Sequence, residues 1–135
     1  MKTAMDTVTK TVTNTVMDCA EIVLRVRRAD GRWSARTVWV VVLDGEAYVR
    51  SAFGQRSAWY RRVLRHADTE VEVEAAGVRL PVTLLSVNAP ELVRRVSTAY
   101  RAKYGLHWPG PAESMTGPEA AATTLRLRPD PNDRP

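Results

Sequence analysis

The amino-acid sequence predicts a mainly β chain with two helices, of the α+β class, in which six antiparallel strands curl into a small barrel. Three observations carry that reading. Short apolar or alternating runs recur along the chain, separated by the turn dipeptides Asp30-Gly31, Asp44-Gly45 and Ala76-Gly77. Clear helical spacing appears at 57–66 and 88–104. The resulting order, β-β-β-α-β-β-α-loop-β, joins strands by short hairpins and contains no crossover helix between parallel strands, which favours a barrel.

The elements follow in order. Residues 1–18 read MKTAMDTVTKTVTNTVMD, a Thr-Val repeat without turn residues or a clear apolar face. It is expected to be a partly ordered N-terminal arm, helical near its end. The domain proper is assigned to 19–128. Glu21 to Arg28 alternates, with Ile22, Leu24 and Val26 on one face, and forms the first strand. Ala35 to Leu43 is the second. Its two faces, Trp39, Val41, Leu43 and Val38, Val40, Val42, are both apolar, so both must be covered. After Asp44-Gly45 the chain returns over Glu46 to Phe53. Gly54 to Ser57 then turns it into a helix with Trp59, Tyr60, Val63 and Leu64 at helical spacing and Ser57 as N-cap.

Thr69 to Ala75 points Val71, Val73 and Ala75 inward and Glu70, Glu72 and Glu74 outward, as a strand with one wet face does. Val78 to Val87 continues the inward set with Leu80, Val82 and Leu84. Asn88 is the expected cap of the second helix, which has Pro90 in its first turn, runs to Tyr104 and ends at Gly105 as C′ residue. Leu106 to Pro118 is rich in Pro and Gly yet carries His107, Trp108 and Met115, and reads as a loop over a site. Thr123 to Arg128 is the sixth strand, and 129–135 a disordered tail.

A chain of 135 residues is one domain and buries a core without metal or disulfide help. Cys19 is alone, and with only His66 and His107 beside it no ordinary zinc site is expected. The longest apolar run is far short of the roughly 20 residues of a membrane span, and the N-terminal stretch lacks the apolar core of a signal peptide, so a cytoplasmic protein is expected. The net charge of +5 and pI near 9.9 come from arginine, since Lys2, Lys10 and Lys103 are the only lysines. High Arg, Ala and Val with little Lys is also the composition of a high-GC bacterial genome. The arginines are scattered over nearly every element, without the run or stripe that marks nucleic-acid binding, so that partner is not expected.

The densest chemistry lies where the third strand turns into the first helix. Arg50, Ser51, Arg56, Ser57 and the free N–H groups of the helix start are expected to converge on one anion, the way proteins hold phosphate. Trp39 and Trp59 offer flat walls for a planar ring, or are simply core; Arg36, Trp33 and Tyr48 are further lining candidates. His107, and Tyr100 on the helix before it, are the candidate acid or base groups, the alternative for His107 being a cap on the Tyr104 or Gly105 carbonyl. His66 with Asp68 makes no hydrolase triad, because the chain has no Gly-x-Ser-x-Gly elbow. Alternating Glu70, Glu72 and Glu74 read as a solvated face, not a metal site.

Three segments, VWVVVLDGEAYVRSAFGQRSAWYRRVL, AYRAKYG and ATTLRLRP, resemble the DUF2255 family over about 19–129. That family is similar to the flavin-binding split β-barrels, among them pyridoxamine phosphate oxidase and the deazaflavin F420-dependent reductases. The resemblance implies a split barrel, an FMN or F420 cofactor with its phosphate at Arg50, Ser51, Arg56 and Ser57, and a homodimer with the site at the subunit interface. The activity it implies is an oxidoreductase acting on a small molecule. A Gly-Arg-Lys-Ser-Gly segment, present before the second strand in many F420 relatives, has only a faint echo in Gly31-Arg32-Trp33-Ser34. A cofactor-free split barrel that binds a small molecule in the same cleft, or acts on one without redox, is the alternative.

Overall fold

The computed structural model describes residues 12–130. Residues 12–17 are helical (α1), and the rest of the expected arm, 1–11, lies outside the described residues, as do 131–135. The strands are β1 (Ile22–Arg27), β2 (Trp33–Val38), β3 (Val40–Leu43), β4 (Glu46–Val49), β5 (Val71–Ala75), β6 (Val78–Ser86) and β7 (Leu125–Pro129). The helices are α2 (Ala58–Arg65), α3 (Pro90–Tyr104), α4 (Pro109–Thr116) and α5 (Pro118–Ala121), with a 3-10 turn at Gly54–Arg56.

The seven strands form one antiparallel sheet in the order β2-β1-β5-β6-β7-β4-β3. Its two ends, β2 and β3, are the halves of the single strand expected over Ala35 to Leu43, interrupted at Trp39. The sheet therefore curls until one chain segment joins its first strand to its last, and the seventh strand is that interruption. Two tight turns set the registers. Leu43 faces Glu46 and Ala75 faces Val78, so Asp44-Gly45 and Ala76-Gly77 are two-residue loops. In both, the two loop residues have positive φ, near 52° and 78° in the first, the mirror-type turn whose twist matches the strands.

Two apolar layers result. Inside the curl, Ile22, Leu24, Val26, Val40, Val49, Val73, Val82, Leu125 and Leu127 meet Val12 and Val16 of α1 and Trp59 and Tyr60 of α2. The expected arm thus contributes its last helical turns to the core. On the outer face of β3 and β4, Val41 and Tyr48 meet Val96, Tyr100 and Tyr104 of α3 and Ala112, Met115 and Ala120 of α4 and α5. This second layer is why the second strand has no polar face.

Five local expectations change. Leu106 to Pro118 is no loop: α4 and α5 each begin on a proline, at the position where a missing N–H costs nothing. Ser57 occupies the N-cap position of α2 but makes no capping bond, and α3 starts from Ala89 instead of Asn88. Gly105 ends α3 in a right-handed conformation, and β7 runs on through Pro129.

The turn geometry makes two substitutions diverge in sign. Gly45→Ala should destabilise the fold by about 1 kcal/mol, because alanine resists positive φ. Gly117→Ala, at φ −72° and ψ 169° before Pro118 with the new methyl in ordinary contact with the Ser114 carbonyl at 3.5 Å, should be neutral or stabilising by up to about 1 kcal/mol. Urea unfolding of both variants measures the difference.

Candidate functional site

Strand alternation decides where Arg50 goes. Ala47 and Val49 point into the curl, so Tyr48 and Arg50 point outward, under α3 and α4. There the Arg50 side chain is 0% exposed. Its Nε donates to Thr124 Oγ1 at 2.9 Å, one terminal nitrogen to Ser97 Oγ at 2.8 Å and the Met115 carbonyl at 2.9 Å, and the other to the Val93 carbonyl at 2.8 Å. The guanidinium also lies 5.3 Å from the centroid of the Tyr100 ring. Every acceptor is neutral. Burial lowers the Arg50 pKa, opposed by Tyr100 and assisted by Arg101, yet an arginine keeps its proton in proteins. The charge is balanced by dipoles, including the last-turn carbonyl of α4, whose helix end is negative.

The other residues expected around a phosphate do not join it. Ser51, also buried, has its hydroxyl against that of Ser57, and its N–H donates to Thr123 Oγ1 at 2.9 Å. Arg56 is on the surface, its side chain 78% exposed, 3.7 Å from Glu119. Arg36 is exposed on β2 and donates to the neighbouring Ala35 carbonyl. Trp59 is buried and packs edge-on against Tyr60. Trp39 stacks on Tyr104, ring centroids 4.0 Å apart and planes within 4°. Arg50, Ser51 and Ser57 therefore bond to the protein itself, and the anion cradle read from the sequence is not assembled.

The candidate acid and base groups also separate. The Tyr100 hydroxyl, fully buried, donates to the Trp39 carbonyl at 3.1 Å, and burial pushes its pKa far above the phenol range. His107 is exposed, its ring edge-on to Trp108, and caps no carbonyl among the described residues. Tyr100 belongs instead to a structural device that sequence reasoning missed. The break at Trp39 leaves backbone groups without ladder partners, and one face of α3 supplies them. Lys103 Nζ donates to the carbonyls of Cys19 and Val40, both at 2.7 Å. The Tyr104 hydroxyl accepts from the Val40 N–H at 3.1 Å and lies 2.6 Å from the Ala20 carbonyl. The signal was present as Tyr100, Lys103 and Tyr104 at i, i+3 and i+4 on one helix face.

A cleft of about 580 Å³ opens at one rim of the curl, between the end of α2 and strands β5 and β6. Trp33, Val63 and Val71 give it apolar wall, and His66, Asp68, Thr83 and Asp130 polar rim. Glu70 and Glu72 also line it, held by Arg27 at 3.3 Å and Arg25 at 3.4 Å. No arginine or lysine lines this cleft, in a chain of net charge +5. The arginines paired with Glu70 and Glu72 stand behind the wall, so the surface offered to a ligand is carboxylate, hydroxyl and indole. Among the described residues no group of three or more His, Cys, Asp or Glu is gathered for a metal, and no helix is long and apolar enough to cross a membrane.

A bacterial family, described as an uncharacterized protein conserved in bacteria (DUF2255), matches residues 13–127. The chain belongs to this family. Solved structures share its fold: ChuZ of Campylobacter jejuni, at 12% identity and TM-score 0.63 over 94% of this chain and 54% of that one. The haem storage protein HutZ of Vibrio cholerae matches at 13% identity and TM-score 0.62, over 89% and 88%. A protein described as an F420 reductase matches at 14% and 0.53, over 87% and 92%. This DUF2255 chain spans about half the length of ChuZ. No curated protein matches it. The DUF2255 chain thus has the split-barrel fold, and identities this low carry the fold alone.

Removing the buried guanidinium should cost stability. Arg50→Met leaves the Ser97 and Thr124 hydroxyls and two carbonyls without their donor, and should destabilise the chain by about 3 kcal/mol or more in urea unfolding. The buried phenols give a pH signature. Tyr104, raised by burial to about 12, and Tyr100, raised further, ionise near pH ~10 in the unfolded chain. Their contribution is intact below pH ~10 and is lost as the pH rises toward ~12. Phenolate absorbance should show both titrating together with unfolding.

Proposed function

We propose that this DUF2255 protein is a split-barrel small-molecule binder whose ligand occupies the rim cleft, and that it works without a flavin phosphate anchored on Arg50. The enclosure of Arg50 by four protein acceptors carries the reading. Releasing it for a phosphate would leave those acceptors unpaired inside the protein, at a cost of the order of 1 kcal/mol or more each. The cleft supports the same conclusion from the other side. Its carboxylate rim and indole wall suit a ligand with a flat apolar body and a cationic or hydrogen-bond-donating edge. In this reading His66 and Asp68, neither bonded through its side chain among the described residues, orient the ligand's polar edge.

The second reading is an FMN- or F420-dependent oxidoreductase, and two observations favour it. The fold is shared with a protein described as an F420 reductase. Arg36 and Arg56 are exposed, and the Arg56–Glu119 pair at 3.7 Å is a surface pair that a phosphate displaces at little cost. The cofactor would bring the hydride chemistry, and this chain's part would be to hold its phosphate and shut out water. Such a site would lie against a second copy in a homodimer, with the exposed Phe53 and Trp108 as the apolar surface for that copy. Both readings keep the protein in the cytoplasm.

Titration separates them. Adding FMN or F420 should leave cofactor fluorescence and protein tryptophan emission unchanged, and a thermal-shift screen of small aromatic amines should give hits that Thr83→Trp, which fills the cleft, abolishes. Saturable cofactor binding that Arg56→Ala weakens, or hits indifferent to Thr83→Trp, would overturn the proposal.

A further inference from the structure

Arginines far apart in sequence meet at one corner of the molecule. Arg62 Nε donates to the Arg27 carbonyl at 2.7 Å, which seats α2 against the turn between β1 and β2. Across that turn the Arg28 N–H donates to the Arg32 carbonyl at 2.7 Å, so Arg28 and Arg32 stand side by side. Arg61 and Arg65, one helical turn apart on α2, are exposed, as are Arg28 and Arg32. Among the described residues, Arg32, Arg61 and Arg65 have no ion pair, and Arg28 has one with Asp30 at 3.7 Å.

From this we infer that the corner formed by α2 and the β1–β2 turn is a docking surface for nucleic acid, gripping the phosphate backbone without reading bases. Charge complementarity argues for a polyanion: four exposed arginines stand on these two elements, and the carboxylates beside them, Asp30 and Glu70, are each paired, with Arg28 and Arg27. That all are arginine suits phosphate, which the planar fork contacts through two donors. An anionic membrane is the weaker match. It requires apolar side chains to insert, and Leu64, 50% exposed, is the only exposed large apolar residue on these two elements. The corner lies outside the acidic cleft, and the inference does not depend on what that cleft binds.

The test is fluorescence anisotropy of a short labelled DNA duplex and a labelled single strand, with the full-length protein, between about 50 and 200 mM salt. Four phosphate contacts predict a log–log salt slope of about −3.6 on the duplex, an affinity loss of about 150-fold over that range. Arg61→Glu with Arg65→Glu should reduce the slope by about 2 or abolish binding. Arg94→Glu with Arg101→Glu, the same charge change on α3, should leave the slope as it was. Circular dichroism melts confirm that both double variants fold. No binding at the lowest salt, equal loss in the two double variants, or retention on anionic vesicles without oligonucleotide binding would each overturn the inference.

Discussion

A positive charge sealed away from water, with no carboxylate to neutralise it, is the constraint around which the outer layer of this split barrel is built. Arg50 stands at the end of β4, and its donors reach α3, the end of α4 and the start of the last strand. A guanidinium in that position is tolerable only if hydroxyls and carbonyls surround it in the right geometry. Thr124, Ser97 on α3 and the carbonyls of Val93 and Met115 meet that demand. The arginine therefore specifies how the helices sit on the sheet as much as it stabilises them.

The same residue separates what this family's fold says from what its chemistry says. A split barrel places a strand end beside a helix start, and a basic residue there is well placed for an anion. Here the alternation of β4 turns that residue under the helices instead. Arg56, exposed at the same turn, pairs with Glu119, and the rim cleft has carboxylates and no cation on its walls. Likeness of fold to haem and F420 proteins is compatible with either arrangement, and only the side chains separate the two.

Much of the architecture was legible. Asp44-Gly45 and Ala76-Gly77 announce their hairpins because few residues accept positive φ, and the alternation of Val71 to Ala75 fixes which face is buried. The two-sided apolar character of Val40 to Leu43 forecast a covering layer, and α3 provides it. The break at Trp39 was hidden, since a uniformly apolar run carries no mark of where a strand bends. The helices after His107 were hidden by their prolines, which look like breakers until they occupy the first turn. Arg50 was misread for a general reason: charged side chains belong outside by default, and only its partners, distant in sequence, reveal the exception.

The junction at Trp39 also determines how the barrel is held shut. Around most of its circumference, neighbouring strands are zipped by backbone hydrogen bonds, but at the seam the link from β2 to β3 is the peptide chain itself. A covalent seam cannot be prised apart by an invading strand, nor traded with another molecule by unpairing. The flank that β2 turns away from β1 is thereby left as backbone in need of a neighbour, and protection of the fold against sticky association falls on that short, arginine-bearing margin.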